Sequence, residues 1–422
     1  MRSHRSIAVC ILTIICLMLA GGAFAVDIPP MPPLKTFYTE VPIAAGGAAN
    51  CIIAHPPGDE YAAIARSVAE AIKAVSGADV PVRDASGVSV EMMQSSNMIL
   101  LGYFANNPLV NRIYDEHYVS LDSEWPAKSG YVVRTVHDPL GTGTCFVYLG
   151  GASGEPVQKA ADDFIASLPE KGDIIYPHTV RILTGDGELL YRQNPEAIAN
   201  RVKSGTGKQF RDAAGVISGA AADYYQTGNP DSVEVFKQLI PVFHAIIKPM
   251  KDIGDARGAF ELFNMADNIE EAPGMTAEDR AAMTAMLWEF ANKFRDANKE
   301  PEVPELPVGN DWDSRVSWDI ARYFMKYYRM DVAGLWAWAE ARFHGKAKFW
   351  RSNEDCPGYG GMTMYDMLYY ALPAQYDTFF EDGTAKRMAD YGMAVMNNLG
   401  GHAGFGDTSS MGAIGYWAGI FN

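Results

Sequence analysis

Apolar and polar positions follow two rhythms along this chain, and the change falls near residue 190. In the first half, short apolar runs alternate with helical patterns. Cys51–Ala54 is one such run, closed by the turn residues His55-Pro-Pro-Gly58. Ile64, Val68, Ile72 and Val75 then recur at helical spacing and predict a helix over 60–75, with Gly77 as its C-cap. Val80–Val82 predicts a short edge strand, and Met98–Leu101 a buried one. Asn106-Asn-Pro108 starts a small helix. Gly130–Val136 and Cys145–Leu149 read as strands joined by the hairpin loop His137–Gly143, and a last helix covers about 155–168. The pattern predicts one small α/β domain with a mixed sheet, residues 50–185.

From about Asn194 the strand signals stop and helix signals repeat. Asp231 and Glu234 form a D-x-x-E capping box before Val235, Leu239, Ile240 and Phe243. Pro241 and Pro249 predict a kink or break in that segment. Thr276 and Asp279 open a helix carrying Met283, Met286, Leu287 and Phe290, and Val316, Ile320, Phe324 and Tyr327 recur at helical spacing. Helices are expected at about 311–330, 332–344, 362–372 and 384–397. No short-period repeat is visible, which argues against a TPR-like array. The fold class is α+β and multidomain: a mixed-sheet domain, then all-α helical hairpins over 190–422 in a ring or layered array. The apolar ending Met411–Asn422 carries no stop signal, so this helical domain is expected to be truncated.

Residues 1–25 read as a cleaved signal peptide. Arg2 and Arg5 precede the apolar run Ile7–Leu19, and Ala23-Phe24-Ala25 precedes Val26. Residues 26–49 form a Pro-rich linker (VDIPPMPP at its start) and a leading strand. Export implies a secreted or periplasmic location. The formal charge of −16 argues against nucleic acid or anionic lipid as main partner, and no later stretch is apolar for long enough to span a bilayer. Cleavage leaves Cys51, Cys145 and Cys356. An oxidising compartment allows a Cys51–Cys145 bridge, although spacing does not decide it. Without a C-x-x-C, a zinc ribbon is excluded.

Candidate chemistry gathers in the second half. Residues 312–380 hold 18 Trp, Tyr and Phe in 69 positions, more than twice the chain-wide 11%. Such density serves a core between large helices, or a cleft where aromatic faces stack on pyranose C–H faces. Trp350 and Tyr359 are the better platforms, because they fall on predicted loops. The loop Arg351–Gly361 adds Arg351, Glu354 and Asp355; adjacent carboxylates suit acid–base work or orient an arginine. The loop Asn397–Asp407 supplies His402 and Asp407 among glycines. Gly309–Asp313 supplies Asn310 and Asp311, with Asp311 or Asp313 as an N-cap. There is no P-loop and no H-E-x-x-H. Glu340 and His344 at i, i+4 are too few ligands for a metal site. Gly150-Gly-Ala-Ser-Gly154 lacks the dinucleotide fingerprint and reads as tight helix–sheet packing. No cofactor and no metal are expected.

Two stretches carry a resemblance. Leu100-Leu-Gly102 with Asn106-Asn107, Gly130–Pro139 and Leu149-Gly-Gly151 resemble the accessory α/β domain that precedes the catalytic part of α-glucuronidases and family 20 hexosaminidases. That domain is mostly non-catalytic. Ala321–Phe324, Glu354–Tyr359, Tyr370–Leu372, Asn398-Leu399 and Phe405–Asp407 resemble the (α/α) toroid of exported bacterial proteins related to heparinase and alginate lyases. The resemblance implies a uronate-polysaccharide lyase working through an Asn-His pair, an Arg and a Tyr, with a β-sandwich following the toroid. Here the Asn-His position reads Asn310-Asp311. Arg351 would be the arginine, and Tyr359 or Tyr365 the tyrosine. The expectation is therefore a secreted protein acting on or binding polysaccharide. Tyr359, Arg351, Asp355, Glu354 and His402 would be catalytic, and Asn310, Asp311, Trp350, Tyr365 and Asp407 would bind substrate. A non-catalytic glycan-binding or interaction protein, or a glycoside-hydrolase-related fragment, is the alternative.

Overall fold

The structure, a computed structural model, describes residues 28–191, 194–294, 313–350 and 357–396. It is an α+β fold. The strands are β1 (Glu40–Ala45), β2 (Ala48–Ala49), β3 (Cys51–His55), β4 (Val82–Asp84), β5 (Asn97–Gly102), β6 (Tyr131–Val136), β7 (Phe146–Gly151), β8 (Ile174–Pro177) and β9 (Val180–Leu183). Six of them form a sheet in the order β4-β3-β5-β7-β6-β9. β4, β3, β5 and β7 run parallel, and β6 is antiparallel to both β7 and β9. A second, three-stranded sheet has the order β2-β1-β8.

Burial on both faces explains why β5 reads as a continuous apolar run. Met98 and Leu100 enter one core, with Val110 and Tyr148, while Ile99 and Leu101 enter the other, with Val68 and Phe164. Helices α1 (Asp59–Ser76) and α4 (Gly154–Ala166) pack together on the second of these faces, and α2 (Val90–Ser95) and α3 (Pro108–Asp115) lie on the first. Gly77 caps α1 in the left-handed conformation, and Asn107 caps α3 ahead of its N1 proline. The turn after β7 is packed tight. A Cβ on Gly151 would lie 2.6 Å from the Val157 backbone nitrogen, and one on Gly154 would collide with the Glu60 carboxylate. Cys51 and Cys145 are buried free thiols, so the bridge does not form; β5 lies between β3, which holds Cys51, and β7, which Cys145 precedes.

The described residues of the second half form α5 (Pro195–Gly205), α6 (Phe210–Thr227), α7 (Pro230–Ile247), α8 (Leu262–Ile269), α9 (Ala277–Lys293), α10 (Asp313–Tyr328), α11 (Leu335–Phe349), α12 (Pro357–Ala374), α13 (Thr378–Glu381) and α14 (Thr384–Val395). One layer runs α6, α8, α10, α12, α14, each packed on the next. A second layer holds α5, α7 and α9, with α11 against α10 and α12. Two local expectations are corrected. Asn229, ahead of an N1 proline, caps α7, whereas Asp231 accepts from the Asn194 amide at 2.5 Å and Glu234 bonds Gln238. Pro241 lies inside α7 without breaking it; it sits on the exposed face, where the carbonyl it leaves free can turn to water. The Thr276–Asp279 capping box forms as expected.

Residues 28–38 carry no regular secondary structure, yet they are docked. Ile28 packs on the helical core, the Pro29 carbonyl accepts from the Trp288 indole at 2.9 Å, and the Tyr38 amide donates to Glu271 at 3.0 Å. This strap leads straight into β1. Among the described residues no helix is long and apolar enough to cross a membrane.

Candidate functional site

Helix α10 explains where the polar groups converge. Its apolar stripe, Val316, Ile320 and Phe324, enters the helical core. On its other stripe Arg315, Asp319 and Arg322 are buried as well and Lys326 is mostly so, with the α/β half covering the end at Arg322 and Lys326. The cover is the turn after α3, where His117 takes a left-handed φ of 63°. That turn drives three side chains onto α8, α10 and α12. Glu116 pairs with Arg322 at 3.6 Å and Lys326 at 3.3 Å. The Tyr118 hydroxyl donates to Asp267 at 2.6 Å. The His117 ring lies 5.2 Å from that of Tyr369, and its carbonyl accepts from Asn268.

Around Tyr369 a chain of hydrogen bonds runs from α8 to α10. Asn264 Nδ2 donates to the Tyr369 hydroxyl at 2.6 Å, and that hydroxyl donates to Asp319 Oδ2 at 2.6 Å. Burial, partly offset by Arg322, pushes the Asp319 carboxyl up to about 7. Burial, aided by Arg322 and Arg315, pushes the His117 imidazole down to about 3, so it is neutral near pH 7. His117 Nδ1 is buried with no hydrogen-bond partner among the described residues.

Arg315 is the centre of the cluster. Its guanidinium lies 4.5 Å from the Tyr369 ring, 4.7 Å from Tyr365 and 5.1 Å from Phe260. The nearest carboxylate oxygens, on Asp366 and Glu261, stand at 3.8 Å, longer than a hydrogen bond. Nε has no partner among the described residues. A stacked guanidinium with loosely held carboxylates has capacity left for a planar anion. The cluster reaches the surface at Tyr365, which is 39% exposed, and at the half-exposed Glu261.

A second buried cluster adjoins the first. Lys35, from the strap, pairs with Glu270, stands 3.8 Å from Asp267, and lies 3.5 Å over the Tyr327 ring. Glu271 receives the Tyr38 amide, and burial lifts its carboxyl to about 8; burial also lifts Glu270, to about 7. Beyond it the Tyr224 hydroxyl meets His178 Nε2 at 2.7 Å, and His178 Nδ1 meets His137 Nε2 at 2.9 Å. Both imidazoles are pushed down by burial. Among the described residues no group of three His, Cys, Asp or Glu is disposed to hold a metal ion.

These groups set a pH dependence whose sign can be worked out. Glu270, Glu271 and Asp319 hold protons in the native state that the unfolded chain releases, so stability is lost as pH rises through about 7–8. The depressed histidines act oppositely, but only below about pH 6.5, where the unfolded chain protonates first. Unfolding free energy should therefore fall by on the order of 2 kcal/mol between pH 6.5 and 8.5. Urea titrations across that window test it. Glu271→Gln, which can still accept the Tyr38 amide, should flatten the fall; an unchanged slope would refute the assignment.

Of the residues singled out in the sequence, Arg351, Glu354, Asp355, His402, Asn310, Asp311 and Asp407 lie outside the described residues. Trp350 ends α11 with φ 45°, its ring edge-on to Tyr391 at 6.1 Å. Tyr359 is placed differently from expectation: α12 begins at Pro357, so Tyr359 stands in a helix rather than on a loop. Tyr365 is the one that meets the cluster. Sequence reading missed Arg315, Asn264, Asp319, Tyr369 and His117. The available signal was the 4-3-4 spacing of Arg315, Asp319, Arg322 and Lys326 along one helix face. Comparison of the chain with protein-family models and with curated proteins finds no match.

Proposed function

We propose that this chain is an exported carbohydrate-active protein whose helical half, an incomplete α/α toroid, acts on a uronate-containing polysaccharide at the Arg315 cluster. The observation that carries the reading is the convergence of a stacked, loosely paired Arg315 with Tyr365, Tyr369, Asn264 and a neutral His117. An Asn, a His, an Arg and a Tyr are the groups that β-elimination from a uronate requires. Arg315 neutralises the carboxylate and so stabilises the negative charge that develops at C5. His117, uncharged and with Nδ1 uncommitted, takes the C5 proton. The electron pair of that C–H bond becomes the C4–C5 double bond, the C4–O bond breaks, and the glycosidic oxygen takes its proton from the Tyr365 hydroxyl. Asn264 and Asp319 hold Tyr369 in place behind the reacting ring.

The assay is direct. Purified protein incubated with alginate, heparin and pectin-type polymers should generate ultraviolet absorbance from the new double bond. Silence on every uronate polymer would remove the lyase reading. One observation favours a second reading, glycan binding without turnover: Asp319, Tyr369 and Asn264 are buried and hydrogen-bond one another. Retained uronate binding with no product decides for that reading.

A further inference from the structure

A separate cleft opens where β9 meets α6 and α7, and it does not draw on the Arg315 cluster. Its volume is about 210 Å³, room for on the order of ten water molecules, enough for one sugar ring and too little for two. The floor is the hydrogen-bonded pair His178 and Tyr224. Tyr191, Pro230, Pro273 and Val233 supply apolar wall, and Glu234 stands at the side. Apolar walls with a few convergent polar groups are the usual make-up of a small-molecule site.

From this lining we propose that the cleft binds a single neutral pyranose or a polyol of similar size. Charge excludes the alternatives. Among the described residues no Lys or Arg lines the cleft, so an anionic sugar finds no partner of opposite charge in that lining. Glu234 is already met by Lys237 at 3.4 Å and Gln238 at 2.7 Å, so a cation finds its charge spent. The His178 floor stays uncharged near pH 7, because burial and His137 hold its imidazole down. What remains is chemistry suited to hydroxyls and C–H faces. Tyr191, Glu234 and the Tyr224 oxygen can exchange hydrogen bonds with ring hydroxyls, and the prolines and tyrosines offer apolar surface to the ring.

Gly274 provides the test. Gly274 lines the cleft, and a Cβ there would sit 3.1 Å from Cγ1 of Val233, another lining residue, so a larger side chain crowds that wall. Saturation-transfer NMR and titration should be run on the full chain with neutral methyl pyranosides, methyl uronates and amino sugars. The neutral glycosides should bind. Affinity should fall at least tenfold in Gly274→Leu and in Tyr191→Ala, with circular dichroism unchanged, and should be untouched in Arg315→Lys. Tyr191 is partly exposed, so its variant keeps the test alive if Gly274→Leu misfolds. The proposal is overturned if no neutral glycoside binds, if charged sugars bind better, or if Tyr191→Ala binds as well as wild type. Loss of binding in Arg315→Lys would relocate the sugar to the other cluster and overturn it equally.

Discussion

Lys35→Ala should lower the unfolding free energy by about 3–5 kcal/mol, the usual result of stripping one partner from a buried ion pair. The ammonium pairs with Glu270 and faces Asp267, both almost fully buried, and burial alone would make its charge untenable. Its pKa is nevertheless raised, because Glu270, Glu271 and Asp267 together outweigh desolvation. Remove it, and three carboxylates are left in a space closed by Tyr323 and Tyr327. Glu270 and Glu271 already hold protons at pH 6 and shed them only as pH rises through about 7–8, so the loss should be greater at pH 8 than at pH 6. Urea denaturation of Lys35→Ala beside Lys35→Ala/Glu270→Gln measures this. The double variant should recover at least roughly 1 kcal/mol, since its neutral amide no longer needs a counter-ion. A single variant within about 1 kcal/mol of wild type would mean that the strap contributes little.

Arg315→Lys should cut turnover on a uronate polymer by about 10²–10³-fold, the range for losing one preorganised stabiliser of developing charge. The change keeps a positive charge but discards the planar fork that lies beside the Tyr365 and Tyr369 rings. A Lys ammonium cannot offer two parallel N–H groups to a carboxylate. The loss should lie in kcat more than in KM, because the carboxylate carries most charge in the transition state. Tyr365→Phe should lose activity with binding retained, and Tyr359→Phe, run beside it, decides which tyrosine is the acid. Turnover of Arg315→Lys within about threefold of wild type would contradict the assignment, because loss of a preorganised donor costs far more than that.

The sheet was legible because its rules are local. β3, β5, β6 and β7 are buried on both faces, so each stands out as an apolar run between turn residues. β1 was less so: it carries Pro42 and pairs only with the short strands β2 and β8. The helices were readable from periodicity, including the capped start of α9 at Thr276. The cluster was not. A row of Arg, Asp, Arg and Lys along one helix face ordinarily lies in water, and nothing local distinguishes a solvated face from one covered by residue 117 of another layer. The aromatic density of 312–380 was visible, but most of it is core: Trp318, Phe343 and Tyr370 pack on one another. Loop glycines drew attention towards 351–361 and 397–407, whereas the described convergence is built on helix faces.

The strap also bears on the order in which this protein can finish folding. Tyr38 and Glu271 are 233 residues apart in sequence, and Pro29 and Trp288 are 259 apart. At ordinary synthesis rates, residues 28–38 wait roughly 10–50 s before their partners exist. During that interval Lys35 remains hydrated and Glu271 has not been made, so the α/β half must assemble with its leading segment undocked. Contacts of such span close late, because each carries the entropy of a long loop. The strap is therefore a seal applied after both halves are in place. Variants that weaken it should chiefly hasten unfolding and leave the rate of folding nearly unchanged.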